Sequence, residues 1–214
     1  MADHMEAIKN AVIGGKHAEI KALVTQALDA GLDPNTIIND ALIAAMDVVG
    51  TDFGSGKIFV PEMLVAALTM KFGLDIVKPR LAAGQIQSRG TVIMATVKGD
   101  LHDIGKNLVS MMLEGAGFKV LDLGVDLSVE KLIDQVKAIQ PDILGLSALL
   151  TTTMPEMQKV IAELKAQGLR DKVKVLVGGA PLDRAFAEKI GADGYGANAA
   201  EAVELARRFA VAKA

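Results

Sequence analysis

The chain has 214 residues, a formal net charge of −3 and no cysteine. These properties exclude several classes of protein function. The chain has no thiol for a disulfide, a thiolate zinc site or a cysteine nucleophile, and its slightly acidic balance gives no electrostatic basis for binding nucleic acid or an anionic membrane. Apolar residues make up 51% of the chain and aromatic residues only 3%, so aliphatic side chains and methionine must fill the core. No apolar run approaches the roughly 20 residues of a membrane span, and residues 1–6 lack the basic and apolar parts of a signal peptide. We therefore expect a cytoplasmic protein of one large or two small domains.

Residues 1–83 show only helical periodicity and are predicted to form a four-helix bundle domain. Glycines end the first two helices, and Asp33 followed by Pro34 predicts the N-cap and first residue of the third. A glycine-rich turn is expected over residues 50–59, before the fourth helix begins at Val60. The apolar stripes of the four predicted helices are, in chain order, Met5, Ile8 and Val12; Ile20, Leu23, Ala27 and Leu28; Ile38, Leu42, Ala45, Met46 and Val49; and Leu64, Leu68, Phe72 and Ile76, with Met63, Ala67 and Met70 beside the last of these.

Residues 91–214 instead alternate strands with helices. Residues 84–90, polar and bounded by glycines, are predicted to link this second domain to the bundle. Five alternating units call for a five-stranded parallel sheet covered on both faces, which is a Rossmann-like or flavodoxin-like α/β domain. Asn198 and Glu201 are spaced as in a capping box at the start of the last helix. The predicted strands are residues 91–97, 119–122, 143–147 and 173–177, and a short one near Gly194-Tyr195.

Candidate chemistry lies in the loop between the first strand and the next helix, where Asp100 and His102 are two residues apart. An open parallel sheet places its ligand site at such loops. A carboxylate two residues before a histidine can reach one ring nitrogen and hold the ring in one tautomer, which leaves the other nitrogen free to bind a metal. The alternative is a surface loop whose two side chains cap the following helix. The tripeptide alone does not decide between them.

The spacing of further motifs favours the functional interpretation. His4 and His17 have no comparable partner, and we interpret both as surface residues. With no cysteine and no other histidine in such a pattern, a conventional zinc site is not favoured. A single histidine suits a metal that arrives with most of its ligands already in place. The motifs, each just after a predicted strand, are Asp100-x-His102-x-x-Gly105, Ser147-x-Leu149 and Gly178-Gly179.

This three-part constellation resembles the cobalamin-binding domain in which a protein histidine replaces the cofactor's own base beneath cobalt. The resemblance implies that His102 is the lower axial ligand of cobalt. Asp100 would bond its other nitrogen and Ser147 would extend the relay, which takes up a proton when cobalt releases the histidine. The residues that the resemblance assigns to cofactor binding in this domain are Asp100, His102, Asp103, Gly105, Ser147, Leu149, Thr151, Gly178, Gly179 and Tyr195.

Several of these assignments have a plainer alternative. Gly178 and Gly179 are also typical of a tight turn, whereas the resemblance gives the space beside them, with Gly145, to the nucleotide tail of the cofactor. Ser147 is also suited to cap the following segment. Tyr195 is as consistent with plain packing as with lining the deep end of that space.

The helical segment also resembles part of this family. Phe53, Gly56 and the run Phe59-Val60-Pro61-Glu62-Met63 are similar to the helical cap of methyl-carrying corrinoid domains, which covers the upper face of the corrin. The resemblance assigns Met63 and Met70 to this cap. The alternative is that both are core residues, as methionines on a helix usually are.

Over essentially the whole chain, the pattern resembles a free-standing corrinoid protein of a methylamine-, methanol- or methoxyarene-type methyltransferase system. It is also similar to the cobalamin-binding portion of methionine synthase. The resemblance implies a methyl carrier that binds cobalamin or a related corrinoid, in the methylcobalamin form during turnover. Its partners would be a substrate-specific methyltransferase, a second methyltransferase that acts on a thiol or folate-type acceptor, and a reductive activase. Alone, the chain would not be a complete enzyme.

Two alternatives share the Asp-x-His-x-x-Gly pattern. One is the small cobalamin-binding subunit of a radical mutase, but such domains normally accompany a barrel, and the helical segment argues against it. The other is a cobalamin-dependent sensor module, which usually adds a DNA-binding part. The chain shows no basic recognition helix, and it has no tryptophan.

Overall fold

The computed structural model describes residues 2–81 and 88–211, and the chain folds as two compact units. The first comprises residues up to 88 together with 114–117, and the second comprises residues 89–113 and those from 118 onward. Residues 84–87 of the predicted linker lie outside the described residues. No helix in the described ranges is long and apolar enough to cross a membrane.

The first unit contains the predicted four helices, of which the third changes its winding along its length. In chain order, the elements are α1 (Ala2–Ile13), α2 (His17–Asp29), α3 (Pro34–Thr36), a π-helical segment (Ile37–Ile43), α4 (Ala44–Gly54), α5 (Val60–Val77) and a 3₁₀ turn (Lys78–Arg80). The start of α3 is as predicted, because the Asp33 side chain accepts a hydrogen bond from Thr36 N at 2.9 Å and Pro34 is the first helical residue.

The middle of the third helix differs from the sequence prediction in two ways. The π-helical segment was not predicted, and its apolar residues are all buried. The prediction of a glycine-rich turn over residues 50–59 is wrong for the first half of this range, because α4 continues to Gly54. Gly50 costs about 1 kcal/mol in a helix relative to alanine. The burial of Met46 and Val49 in the turn before it offsets that cost.

The predicted buried face of α5 was wrong only in part, since Met63, Ala67 and Met70 are buried as expected, whereas the stripe of larger residues beside them is not fully buried. Leu68 is 41% exposed, whereas the buried side of the helix is marked by Ala66, Gly73 and Val77. A Cβ atom added to Gly73 would lie 2.9 Å from Leu42 Cδ2. Small residues therefore let a neighbouring helix approach this side of α5 closely. A sequence prediction based on large apolar residues does not detect such a contact.

Met63 and Met70, assigned by resemblance to the cofactor cap, lie on that buried side of α5. Their exposed fractions are 0% and 2%. A side chain enclosed in this way has no surface left to offer a ligand. Their burial in this structure favours the alternative interpretation, that both are core residues.

The second unit is a five-stranded parallel sheet with strand order β2-β1-β3-β4-β5, which is the flavodoxin-like order. The three central strands are almost entirely buried, as expected for a parallel sheet covered on both faces. Its elements are β1 (Thr91–Thr96), α6 (Ile104–Gly115), β2 (Lys119–Asp122), α7 (Val129–Ile139), β3 (Ile143–Ser147), α8 (Met154–Ala166), a 3₁₀ turn (Arg170–Lys172), β4 (Lys174–Gly178), α9 (Arg184–Ile190), β5 (Gly194–Gly196) and α10 (Ala199–Val211).

Most sequence-predicted bounds in this unit agree within a residue. β1 ends at Thr96 rather than Val97, and β4 runs one residue later than predicted. Asn198 caps α10 by accepting a hydrogen bond from Glu201 N at 2.9 Å. The Glu201 carboxylate accepts from Ala197 N at 3.1 Å, so the reciprocal bond falls one residue before the cap.

Candidate functional site

Sheet register brings the ends of three strands to one edge. Thr96 of β1 pairs with Ser147 of β3, and Ser147 pairs with Gly178 of β4. β1 and β3 are neighbours, but β1 continues toward β2 and β3 toward β4, so the strand order reverses between them. The crevice outside the carboxyl ends of strands at such a reversal is where open α/β sheets bind ligands.

The loop after β1 begins with a tight turn. Asp100 N donates to Val97 O at 3.2 Å, and Gly99 has a φ of 80°. A positive φ at the third residue of a turn is readily adopted by glycine and strained for other residues. The turn ends at Asp100, whose side chain then faces the loop that follows β3.

Asp100 is the centre of a hydrogen-bond network. Its Oδ2 accepts from Leu149 N at 2.7 Å, from Leu150 N at 3.3 Å and from the Thr153 hydroxyl at 2.8 Å. Its Oδ1 accepts from both the backbone N and the ring Nδ1 of His102, at 3.0 and 2.7 Å. One carboxylate thus joins the two loops that flank the strand reversal.

These bonds control the charge of the buried carboxyl group. Burial alone would raise the pKa of Asp100, because it penalises the anion. The hydrogen bonds from Leu149 N, His102 and the Thr153 hydroxyl outweigh burial and hold the pKa of Asp100 well below its usual range. Asp100 is therefore an anion at neutral pH.

A carboxylate beside Nδ1 determines the tautomer of His102. Asp100 can only accept, so Nδ1 carries the proton and Nε2 is left with a lone pair. The side chain of His102 is 52% exposed, and in the described part of the chain no hydrogen bond reaches Nε2. Thr96 Oγ1 donates to His102 O at 3.0 Å and fixes the backbone of the same residue. The arrangement leaves Nε2 accessible to an incoming metal.

The hydroxyl that meets Asp100 belongs to Thr153, not to Ser147, which the sequence analysis placed in the relay. Thr153 is buried, and its hydroxyl also lies 2.9 Å from Leu150 O. Ser147 ends β3, and within the described residues its side chain makes no hydrogen bond to Asp100. The turn after β3 brings the chain back over Asp100 six residues later. A run of threonines at 151–153 was the only sequence signal for it.

Large apolar side chains are exposed around His102. Leu101 and Ile104 are 71% and 86% exposed, and Leu149 and Leu150 are also exposed. Water-exposed leucine and isoleucine grouped around one imidazole are typical of a surface that a ligand covers. An apolar macrocycle with a metal at its centre fits this combination of a free ring nitrogen and flanking aliphatic side chains.

The glycines near the strand ends are explained by contacts within the protein. A Cβ atom on Gly179 would overlap Ala148 O, one on Gly178 would lie 3.2 Å from Gly196 O, and one on Gly145 would overlap the Met94 side chain. The space beside these residues was predicted to hold a nucleotide tail. Protein atoms lie where a Cβ atom would be placed on each glycine, and only at Gly145 is the first neighbour a flexible side chain.

The remaining predicted residues have different surroundings. Asp103 accepts from Asn107 Nδ2 at 3.0 Å at the start of α6, and a Cβ atom on Gly105 would meet nothing within 4 Å. Thr151 is exposed in the turn after β3. The Tyr195 hydroxyl donates to Leu182 O at 2.8 Å, and the ring packs against the sheet core. Tyr195 therefore supports the segment after Gly179, which favours the packing interpretation.

Comparison with known proteins agrees with this site. Two family models, both described as B12 binding domain, match residues 5–78 and 90–204. Dimethylamine corrinoid protein 2 of Methanosarcina acetivorans is 41% identical, with 98% of this chain and 97% of that protein covered. Trimethylamine corrinoid protein 2 of Methanosarcina mazei is 44% identical, with 83% of each chain covered.

Solved structures give the same result. A cobalamin-binding protein from Desulfitobacterium hafniense has a TM-score of 0.80 and 34% identity, with 96% of this chain and 98% of that chain covered. The methanol:cobalamin methyltransferase complex of Methanosarcina barkeri has a TM-score of 0.89 and 32% identity, with 98% and 80% covered. By sequence and fold alike, this chain belongs to the corrinoid proteins, a cobalamin-binding family of methyltransferase systems.

Proposed function

We propose that this protein carries a methyl group on a corrinoid between two methyltransferases, and that His102 would be the residue that binds the metal of that corrinoid. The observation that carries the proposal is the pair formed by a fully buried Asp100 carboxylate and a half-exposed imidazole 2.7 Å away. The cofactor supplies the cobalt centre that takes up and releases the methyl group. The chain supplies ligation, orientation and protection.

The proposal gives a separate task to each polar group. Nε2 of His102 is the ligand atom, because Nδ1 is committed to Asp100. Asp100 keeps the ring oriented, as carboxylates commonly do behind metal-bound histidines. The Thr153 hydroxyl and the Leu149 amide hold Asp100 in place and keep it ionised.

The same residues can hold a proton. When the imidazole is not bound to metal, the lone pair of Nε2 can accept one. When Nε2 binds metal again, that proton must leave. The pair therefore couples ligation of His102 to uptake and release of one proton at Nε2.

The relatives suggest the nature of the partners. The curated relatives described above are dimethylamine and trimethylamine corrinoid proteins, which supports a methylated amine as the methyl source for this chain. The similarity to a methanol:cobalamin methyltransferase complex supports direct assembly with a substrate-specific methyltransferase. A second methyltransferase would then take the methyl group to its acceptor, and a reductive activase would restore the cofactor after accidental oxidation. These similarities favour a carrier over a sensor module or a mutase subunit.

A spectroscopic experiment tests the ligand assignment. The apoprotein is produced with nitrogen-15-labelled histidine, loaded with hydroxocobalamin and reduced to the cobalt(II) state. We expect the electron paramagnetic resonance spectrum to show splitting by one nitrogen, which changes from the nitrogen-14 to the nitrogen-15 pattern on labelling. His102→Ala should lose this splitting, and His17→Ala should keep it. Splitting that does not respond to the label, or that persists in His102→Ala, would exclude His102 as the ligand.

A further inference from the structure

Asp126, in the loop between β2 and α7, holds the two residues that present the Asp100 carboxylate. Its Oδ1 accepts a hydrogen bond from Gly99 N at 2.7 Å, and its own backbone N donates to Asp100 O at 3.1 Å. Asp100 N in turn donates to Val97 O. The peptide groups on both sides of Asp100 are therefore held in place.

Asp126 makes these contacts from a rarely adopted conformation. Its φ is 55°, in the left-handed region that residues with a side chain seldom enter, although Asp and Asn tolerate it best. Such a conformation persists when the surrounding contacts determine it. Here it directs one N–H and one carboxylate of the same residue at neighbouring peptide groups. Glycine would suit the φ value but has no carboxylate for Gly99.

The loop that carries Asp126 is itself tied to the end of β1. Thr96 N donates to Gly124 O at 3.0 Å, and Leu127 N donates to Thr96 O at 3.1 Å. At the start of the loop, the Asp122 carboxylate pairs with Lys106, whose side chain is buried. The support beneath Asp126 thus comes from β1 and α6, the two elements that the His102 loop connects.

We infer that Asp126 is a positioning residue for the metal ligand. It fixes the backbone of Gly99 and Asp100, so that the Asp100 carboxylate meets Nδ1 of His102 and leaves Nε2 available. In the described part of the chain no hydrogen bond joins Asp126 to His102, so it acts through Asp100. The inference rests on the proposed function and deepens it.

Three substitutions separate the carboxylate contact from the backbone conformation. Asp126→Asn keeps an acceptor oxygen and tolerates the left-handed φ, Asp126→Gly keeps only the φ, and Asp126→Ala keeps neither. A matched control is Gln140→Ala at the other end of α7, because Gln140 also has a positive φ, of 51°, with no role in this loop. It reports the effect of left-handed strain on stability alone.

The first readouts use the apoprotein. We expect wild type and Asp126→Asn to show a protected Gly99 amide in hydrogen exchange and a His102 ring held with the proton on Nδ1 by nitrogen NMR. In Asp126→Gly and Asp126→Ala, exchange at Gly99 should rise at least about tenfold, and the His102 ring should become a mixture of tautomers. Gln140→Ala should match wild type in both measurements.

The second readout uses hydroxocobalamin. Its dissociation constant should rise about tenfold or more in Asp126→Gly and Asp126→Ala, and the histidine splitting of the cobalt(II) spectrum should weaken. Asp126→Asn should restore both. If Asp126→Gly behaves as wild type in the apoprotein and with cobalamin, or if Gln140→Ala is equally impaired, the inference is overturned. Missing histidine splitting in wild type would instead refute the proposed function and leave the apoprotein result standing.

Discussion

The carboxylate of Asp100 is completely enclosed, while the imidazole of His102, bonded to it at 2.7 Å, is 52% exposed. A buried anion is costly unless hydrogen bonds satisfy it. Here the donors are the amides of the loop after β3, the Thr153 hydroxyl and His102 itself. The pair therefore extends from the interior, where hydrogen bonds hold the Asp100 carboxylate, to the surface, where Nε2 of His102 is accessible.

Replacing Asp100 with asparagine should impair both the fold and the ligand. Asp100→Asn turns one acceptor oxygen into a donor that faces other donors, so we expect the free energy of unfolding to fall by about 2 kcal/mol. Affinity for hydroxocobalamin should drop about 10–100-fold, since His102 loses its orienting carboxylate. Urea unfolding and a spectrophotometric titration measure the two effects. Asp134→Asn, on the exposed side of α7, is the control. Wild-type affinity in Asp100→Asn would contradict the role given to this carboxylate.

The stability of the apoprotein should depend on the ionisation of Asp100. Folding lowers the pKa of this group, so it stabilises the folded state above the unfolded carboxyl pKa of about 4, and this contribution is lost as the pH falls below that value. The difference in free energy of unfolding between wild type and Asp100→Asn should therefore be largest near neutral pH and shrink towards about pH 3. Denaturant unfolding at a series of pH values measures it. A difference that is constant across the range would show that Asp100 is not a preferentially ionised group in the fold.

Thr153 and Ser147 can be distinguished by removing each hydroxyl. Thr153→Val keeps the shape of the side chain but removes one of the donors to the buried Asp100 carboxylate, so we expect a loss of about 1–2 kcal/mol in stability and weaker histidine ligation of cobalt(II). Thr153→Ser should retain most of both. Ser147→Ala should leave the ligation unchanged, because its side chain makes no hydrogen bond to Asp100 in the described residues. If Ser147→Ala is the more damaging change, the relay passes through Ser147 after all.

Gly179 should tolerate a side chain much less than another glycine with a positive φ. Gly179→Ala places a methyl group against Ala148 O at a φ of 139°, so the backbone must move, at a cost of about 3 kcal/mol or more. Gly168→Ala is the matched control, because Gly168 has a φ of 65° and open space around it, and should cost about 1–2 kcal/mol. Thermal unfolding of the apoproteins compares them. Equal losses would mean that the contact with Ala148 does not require glycine.

The sequence by itself determined the features that depend on neighbouring residues along the chain. The alternation of strands and helices follows from a change in hydrophobic period, and the caps at Asp33 and Asn198 follow from side chains that reach amides three residues away. The closeness of Asp100 and His102 is equally local, because two residues separated by one other residue cannot lie far apart. These predictions were confirmed for that reason.

Tertiary structure alone decided the contacts between segments that are distant in sequence. Which hydroxyl meets Asp100 depends on the path of the turn after β3, and this path brings in Thr153 fifty-three residues away. The buried side of α5 was decided by how closely other helices approach Gly73, and the need for glycine at position 179 by the approach of Ala148 O. Asp126 had no sequence signal, because its function arises from two loops that meet in the folded sheet. Periodicity and capping patterns describe one segment at a time, whereas each of these contacts exists only after two segments have packed together.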